Sequence, residues 1–136
     1  MSRALGGILS SSNFVKTSKI PGKFFIVNTS QHWVFISTLD SRCTLYWDPL
    51  AEKPPHSLAK WMKSLGCYKR NTVKVQTDSS DLCGLFIVFV LYFLVRGVPI
   101  SKIMKKFSSS RDANDKKVAK FAYERFGFDA TLEIKV

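Results

Sequence analysis

Cysteine, histidine and acidic residues are all scarce in this chain of 136 residues. There are three cysteines, Cys43, Cys67 and Cys83, and two histidines. An odd cysteine count with no CxxC spacing argues against a disulfide framework and against a structural zinc site, and a reducing compartment is the simpler setting. Long hydrophobic runs are missing too. The longest uncharged apolar stretch, Leu82 to Val95, is shorter than the roughly 18 to 20 residues that a helix needs to cross a bilayer, so it is expected to be a buried core helix and no membrane is implied. Met1 to Ser12 carries one Arg and apolar pieces interrupted by Gly6-Gly7, which excludes a signal-peptide core. Asp and Glu number 10 against 21 Lys and Arg, a net charge of +11. That excess favours phosphate polymers or acidic surfaces as partners without naming a fold.

What is present is globular. Hydrophobic residues make up 46% and include 11 Phe, enough for a real core, and the length predicts one domain over 1–136. Phe24 to Asn28 and Trp33 to Leu39 are β-branched and aromatic runs that predict strands. Asp40-Ser41-Arg42 supplies turn residues before a third strand, Cys43 to Trp47, so the second and third should form an antiparallel hairpin ended by Asp48-Pro49. Leu58, Trp61, Met62 and Leu65 share one helical face after Pro54-Pro55, with Gly66 as the stop. Thr72 to Gln76 alternates like a strand, and Thr77 to Asp81 is a polar loop before the apolar helix, with Asp81 as its cap. That helix stops near Gly97 and Pro99. In the basic segment from Lys102 to Lys120, Asp112 or Asn114 would cap a helix carrying Val118, Phe121, Ala122 and Phe126 on one face. Leu132, Ile134 and Val136 alternate like a short final strand. The class is α+β: a central apolar helix packed against a mostly antiparallel sheet.

Four residues bear on chemistry. Cys83 falls in the first turn of the apolar helix, where unsatisfied amides and the positive helix end stabilise a thiolate; taken alone, it reads more readily as a small hydrophobe filling a helix start. His32 begins one strand of the hairpin and Asp48 ends the other. Pairing about Asp40-Ser41, with partner numbers summing to about 81, brings the two within a rung of each other. A carboxylate holding an imidazole in one tautomer is the arrangement of a catalytic triad. Gln76, seven residues before Cys83, would aim a side-chain amide beside the helix N-terminus, giving with the Cys83 N–H two donors for a developing oxyanion. His56 lies in the Pro-rich approach to the first helix and is expected at the surface.

Ile26-Val27-Asn28-Thr29, His32-Trp33, Asp48-Pro49, Gln76 and Cys83-Gly84-Leu85-Phe86 stand in an order and spacing that resembles the adenovirus-type cysteine endopeptidases, the adenains. Relatives of that family occur in Polinton/Maverick elements and other large DNA viruses. The likeness covers roughly Phe14 to Phe126. It implies a papain-like fold with His32 as general base and acid, Asp48 as its orienting partner, Cys83 as nucleophile and Gln76 in the oxyanion hole. The implied reaction is hydrolysis of peptide bonds in capsid or virion precursor proteins, with no metal or organic cofactor required. Host nucleus and virion are the implied locations, and a monomer is the expected state.

The chain departs from the adenovirus enzymes in being shorter and in having Asp at position 48 where they have Glu. Asp is usual in the ubiquitin-like-protein proteases of the same superfamily, which makes a ubiquitin- or SUMO-protease activity the alternative enzyme. In adenovirus enzymes a cysteine upstream of the Gln joins an activating viral peptide through a disulfide, and DNA is a further cofactor. Cys67 lies near that place; read from its neighbour Gly66 it is a helix-end core cysteine. Lys102, Lys105, Lys106, Arg111, Lys116, Lys117 and Lys120 form a dense basic group suited to sequence-independent, salt-sensitive binding of DNA, or to a solvated surface. With Cys83 only a core residue, the same charge describes a basic DNA-binding virion protein.

Overall fold

The computed structural model describes residues 8–10, 24–29, 32–38 and 43–130. The chain falls into two compact units, Met1–Val73 and Lys74–Val136. The expected turn at Asp40-Ser41-Arg42, the lead-in from Phe14 to Pro21 and the final strand at Leu132 to Val136 lie outside the described residues. In class the protein is α+β, as its sequence predicts.

Among the described residues, the first unit is a five-stranded sheet with one helix. Its strands are β1 (Ile8–Ser10), β2 (Phe24–Asn28), β3 (Trp33–Ser37), β4 (Cys43–Trp47) and β5 (Cys67–Arg70), side by side in that order. β2, β3 and β4 are antiparallel neighbours, whereas β1 on β2 and β5 on β4 are parallel. The sheet is therefore evenly mixed where a mostly antiparallel one was expected. The β3–β4 hairpin forms with Ile36 opposite Tyr46, so partner numbers sum to 82, one more than the symmetric turn implies.

Phe25, Val27, Val34, Ile36 and Tyr46 occupy one face of the sheet, and helix α1 (His56–Ser64) lays Leu58, Trp61 and Met62 on it. Each such side chain contributes about 1.5–3 kcal/mol by leaving water. Phe24, Ile26, Phe35 and Trp47, on the opposite face, are buried as well. Strands buried on both faces need continuous apolar runs rather than alternation, which is what FFIV and WVFI are. α1 begins after Pro55 and ends at Leu65, and Gly66 then takes a φ of 129° that a side chain with a Cβ resists. The chain thereby turns straight into β5.

In the second unit α2 (Cys83–Leu94), α3 (Ile100–Met104) and α4 (Arg111–Phe126) pack together. Phe121 of α4 meets Phe89 and Tyr92 of α2 edge-on at 5.0 and 5.1 Å, and Phe107 stacks on Phe86 at 5.8 Å. No helix among the described residues is long and apolar enough to cross a membrane.

Three local expectations are corrected. Residues 72–76 form no strand; the Val75 carbonyl accepts the side-chain amide of Asn114 in α4 instead of a ladder partner. The cap of α4 is Ser110, whose Oγ accepts the Ala113 N–H; Asp112 sits in the first turn and Asn114 is buried. α2 follows Leu82 without a side-chain cap, Ser80 Oγ accepts the Leu82 N–H, and Asp81 is exposed.

Candidate active site

In the first unit, the end of β4 and the start of β3 bring His32 and Asp48 together: Nε2 of His32 lies 2.8 Å from Oδ2 of Asp48. Asp48 is only 1% exposed. Desolvation of a carboxylate at that depth is tolerated because its oxygens are supplied with donors. Oδ1 accepts the Leu50 N–H at 2.8 Å, and Oδ2 accepts the Glu52 N–H at 3.3 Å besides the imidazole. The turn that presents these amides is closed by the Ala51 N–H on the Asp48 carbonyl, and Ala51 sits at φ 55°. Across the preceding turn the His32 carbonyl accepts both the amide and the hydroxyl of Thr29. The Asp48 hydrogen bond and charge, with the charge of Glu52, hold the His32 pKa above its ordinary 6.5, against an opposing effect of burial.

With Nε2 committed to Asp48, the imidazole carries its proton there and has Nδ1 as its basic nitrogen. His32, Asp48 and Glu52 each offer a donor atom within 4.8 Å of the others. Asp48 Oδ2 is engaged by the His32 imidazole and by the backbone N–H of Glu52.

The second unit places Cys83 and Gln76. Cys83 is the first residue of α2, is buried, and takes no part in a disulfide. The first amides of a helix have no intrahelical acceptor, so they present donors around this position. Gln76 is 1% exposed. Its Nε2 donates to the carbonyl and hydroxyl of Ser80, at 2.8 and 3.3 Å, and its Oε1 is buried with no hydrogen-bond partner.

Two residues that the sequence does not tie to the site hold the Gln76 segment. Asn114 Nδ2 donates to the Val75 carbonyl at 3.0 Å, and Asp115 accepts both the amide and the hydroxyl of Thr77. Asn114 in the sequence reads as a cap candidate for α4, and no local pattern ties Asp115 to Thr77.

The fold resembles that of the ASFV pS273R protease. Two crystal structures of that protein, one of selenomethionine material, match with a TM-score of 0.50 each, at 17% and 15% sequence identity over 68% and 70% of this chain. The chain spans about two fifths of that protein, 39% and 43% of its length in the two structures. At such identities the likeness establishes the fold. No protein-family model matches the chain, and no curated protein does.

The remaining residues singled out from sequence fare differently. Cys67 is exposed in β5 and disulfide-bonded to Cys43, its partner in the β4–β5 register. It is therefore neither a core cysteine at a helix end nor a spare thiol for a peptide, and the sequence argument against disulfides is corrected. The bond forms because the parallel pairing, which no local pattern announces, sets the two Cα atoms 4.9 Å apart. Lys102, Lys105, Lys106, Arg111, Lys116, Lys117 and Lys120 are all exposed. His56 opens α1 at the surface.

Proposed function

We propose that the protein is a cysteine endopeptidase in which Cys83 is the nucleophile, His32 its general base and acid, and Asp48 the carboxylate that orients the imidazole. The observation that carries this reading is the 2.8 Å bond from His32 to a carboxylate that is 1% exposed. A buried acid satisfied by two backbone amides and one imidazole is a costly arrangement for a surface turn, and it is the arrangement that fixes a histidine tautomer for proton transfer.

In this reading the Cys83 proton passes to Nδ1 of His32, and the thiolate adds to the scissile carbonyl carbon with formation of a C–S bond. Charge developing on the carbonyl oxygen is met by the Cys83 N–H and the Gln76 amide. Nε2 carries two N–H groups, and in this reading the one directed at the Ser80 hydroxyl turns to the developing oxyanion while the other keeps the Ser80 carbonyl. The imidazolium then protonates the leaving amine as the C–N bond breaks. Water, deprotonated by His32, attacks the thioester and releases the acid and the free thiol.

The substrate class proposed is capsid or virion precursor protein, and the exposed lysines of α3 and α4 are proposed to hold the enzyme on DNA near it. Supporting both are the resemblance of the motifs to adenains and the fold shared with a viral protease. The test is cleavage of Gly-Gly-type peptides and of capsid-precursor and ubiquitin-like substrates offered side by side, with a thiol-alkylating probe. Cleavage of the precursor and labelling at Cys83, both lost in Cys83→Ala and His32→Ala, are expected. Equal behaviour of wild type and Cys83→Ala in both assays would falsify the protease reading. Retention on nonspecific DNA that weakens as salt rises is expected as well, and binding indifferent to salt removes the DNA proposal.

A further inference from the structure

We propose that Asn71 is a positioning residue for Asp48, its side-chain amide replacing the next rung of the β4–β5 ladder and fixing the backbone from which the carboxylate reaches His32. The inference rests on the reading of His32 and Asp48 as working parts of the site.

The ladder between β4 and β5 runs as far as Tyr46 opposite Arg70. Beyond it the backbone leaves the sheet, and Asp48, two residues further along β4, would have its N–H and C=O without strand partners. Asn71 supplies both: Oδ1 accepts the Asp48 N–H at 2.8 Å, and Nδ2 donates to the Asp48 carbonyl. One planar amide bearing an acceptor and a donor does here what a peptide group does in a ladder. Arg70, the residue before, donates from Nη1 to the Ala51 carbonyl at 3.2 Å. The last residue of β5 and the residue after it thus tie both ends of the turn from Asp48 to Ala51. The turn needs tying, because Ala51 adopts a left-handed φ of 55° that a residue with a Cβ avoids.

The chemistry at position 71 is specific. Aspartate keeps the acceptor, loses the donor and sets a charge against the Asp48 carbonyl. Alanine loses both contacts, and glutamine is one methylene too long for the same two-point reach. The charged groups that act on His32 are Asp48 and Glu52, so a displaced Asp48 is reported by the imidazole itself.

The experiment compares the full chain with its Asn71→Ala and Asn71→Asp variants by three measurements: the NMR titration of His32, peptide kinetics, and thermal unfolding. In the variants the His32 pKa is expected to fall toward 6.5. For a displacement near 1 Å, kcat should drop about 10- to 100-fold with KM little changed. Unfolding far above the assay temperature shows that the fold is kept; if alanine is too unstable to measure, the near-isosteric aspartate decides. A wild-type His32 titration in a folded variant overturns the proposal, as does a loss expressed in KM alone. A wild-type chain that cleaves no peptide overturns the protease reading instead, while the His32 titration still decides the role of Asn71.

Discussion

His32 reaches Asp48 through Nε2 and not through Nδ1, so the nitrogen nearer the backbone is the one available for proton transfer. Replacing the carboxylate by an amide keeps shape and burial but no longer fixes the tautomer. Asp48→Asn is therefore expected to lower kcat on the order of 10⁴-fold. The same variant should bring the His32 pKa down, since Asp48 is the main cause of its elevation. A variant with wild-type turnover shows that Asp48 has no orienting role.

The elevated His32 pKa also sets a pH dependence of stability. A group whose pKa is higher folded than unfolded favours folding in its protonated form. The contribution is complete below pH 6.5 and is lost as pH rises through the elevated folded value. Thermal unfolding measured from pH 6 upward should show this loss in wild type and not in His32→Gln. A parallel decline in both would assign it to another group.

Asn114 is 1% exposed and uses its amide on the Val75 carbonyl and on both main-chain groups of Ser108. Asn114→Ala leaves these buried groups unpaired, at a cost of about 1–3 kcal/mol. Asp115→Ala frees Thr77 and should cost about 1–2 kcal/mol, being only half-buried. Both variants are expected to lower kcat, because Gln76 lies between the two anchored residues. Denaturant titration and single-turnover kinetics measure the two effects separately, and unchanged kcat in folded variants would detach this segment from the reaction.

The disulfide closes a loop across a sequence separation of 24. Its loss in the paired variant Cys43→Ser, Cys67→Ser should destabilise the chain by about 3 kcal/mol, from the larger conformational freedom of the unfolded loop. An unchanged denaturation midpoint would mean that the ladder alone holds β5.

Much of the fold and half of the site geometry could be read before the structure. FFIVN and WVFIS announce strands because they are buried on both faces, and the i, i+3, i+4 spacing of Leu58, Trp61 and Met62 announces α1. The meeting of His32 with Asp48 was legible because a hairpin makes sequence symmetry into proximity, although the true register is one residue away from the symmetric one. β5 was not legible: Cys67-Tyr68-Lys69-Arg70 is a polar tetrapeptide whose strand form comes from pairing with β4. With it went the disulfide and the Asn71 clamp, since both depend on that pairing. Thr72 to Gln76 misled in the opposite sense: its alternation comes from Val73, which is exposed, and Val75, which is buried with its carbonyl held by Asn114 of α4. α3 was hidden because five residues after a proline are too few for periodicity.

The pairing of Cys43 with Cys67 has a further consequence for the third cysteine. Of three cysteine sulfurs two are joined to each other, which leaves Cys83 as the one thiol outside a disulfide. A disulfide reagent applied without reductant should therefore titrate to a stoichiometry of one, with no spectator sites to subtract. Because Cys83 is 8% exposed, the rate of that titration at low reagent concentration measures the fraction of molecules in which the first turn of α2 is open. The staple on the sheet turns the buried helix start into its own reporter.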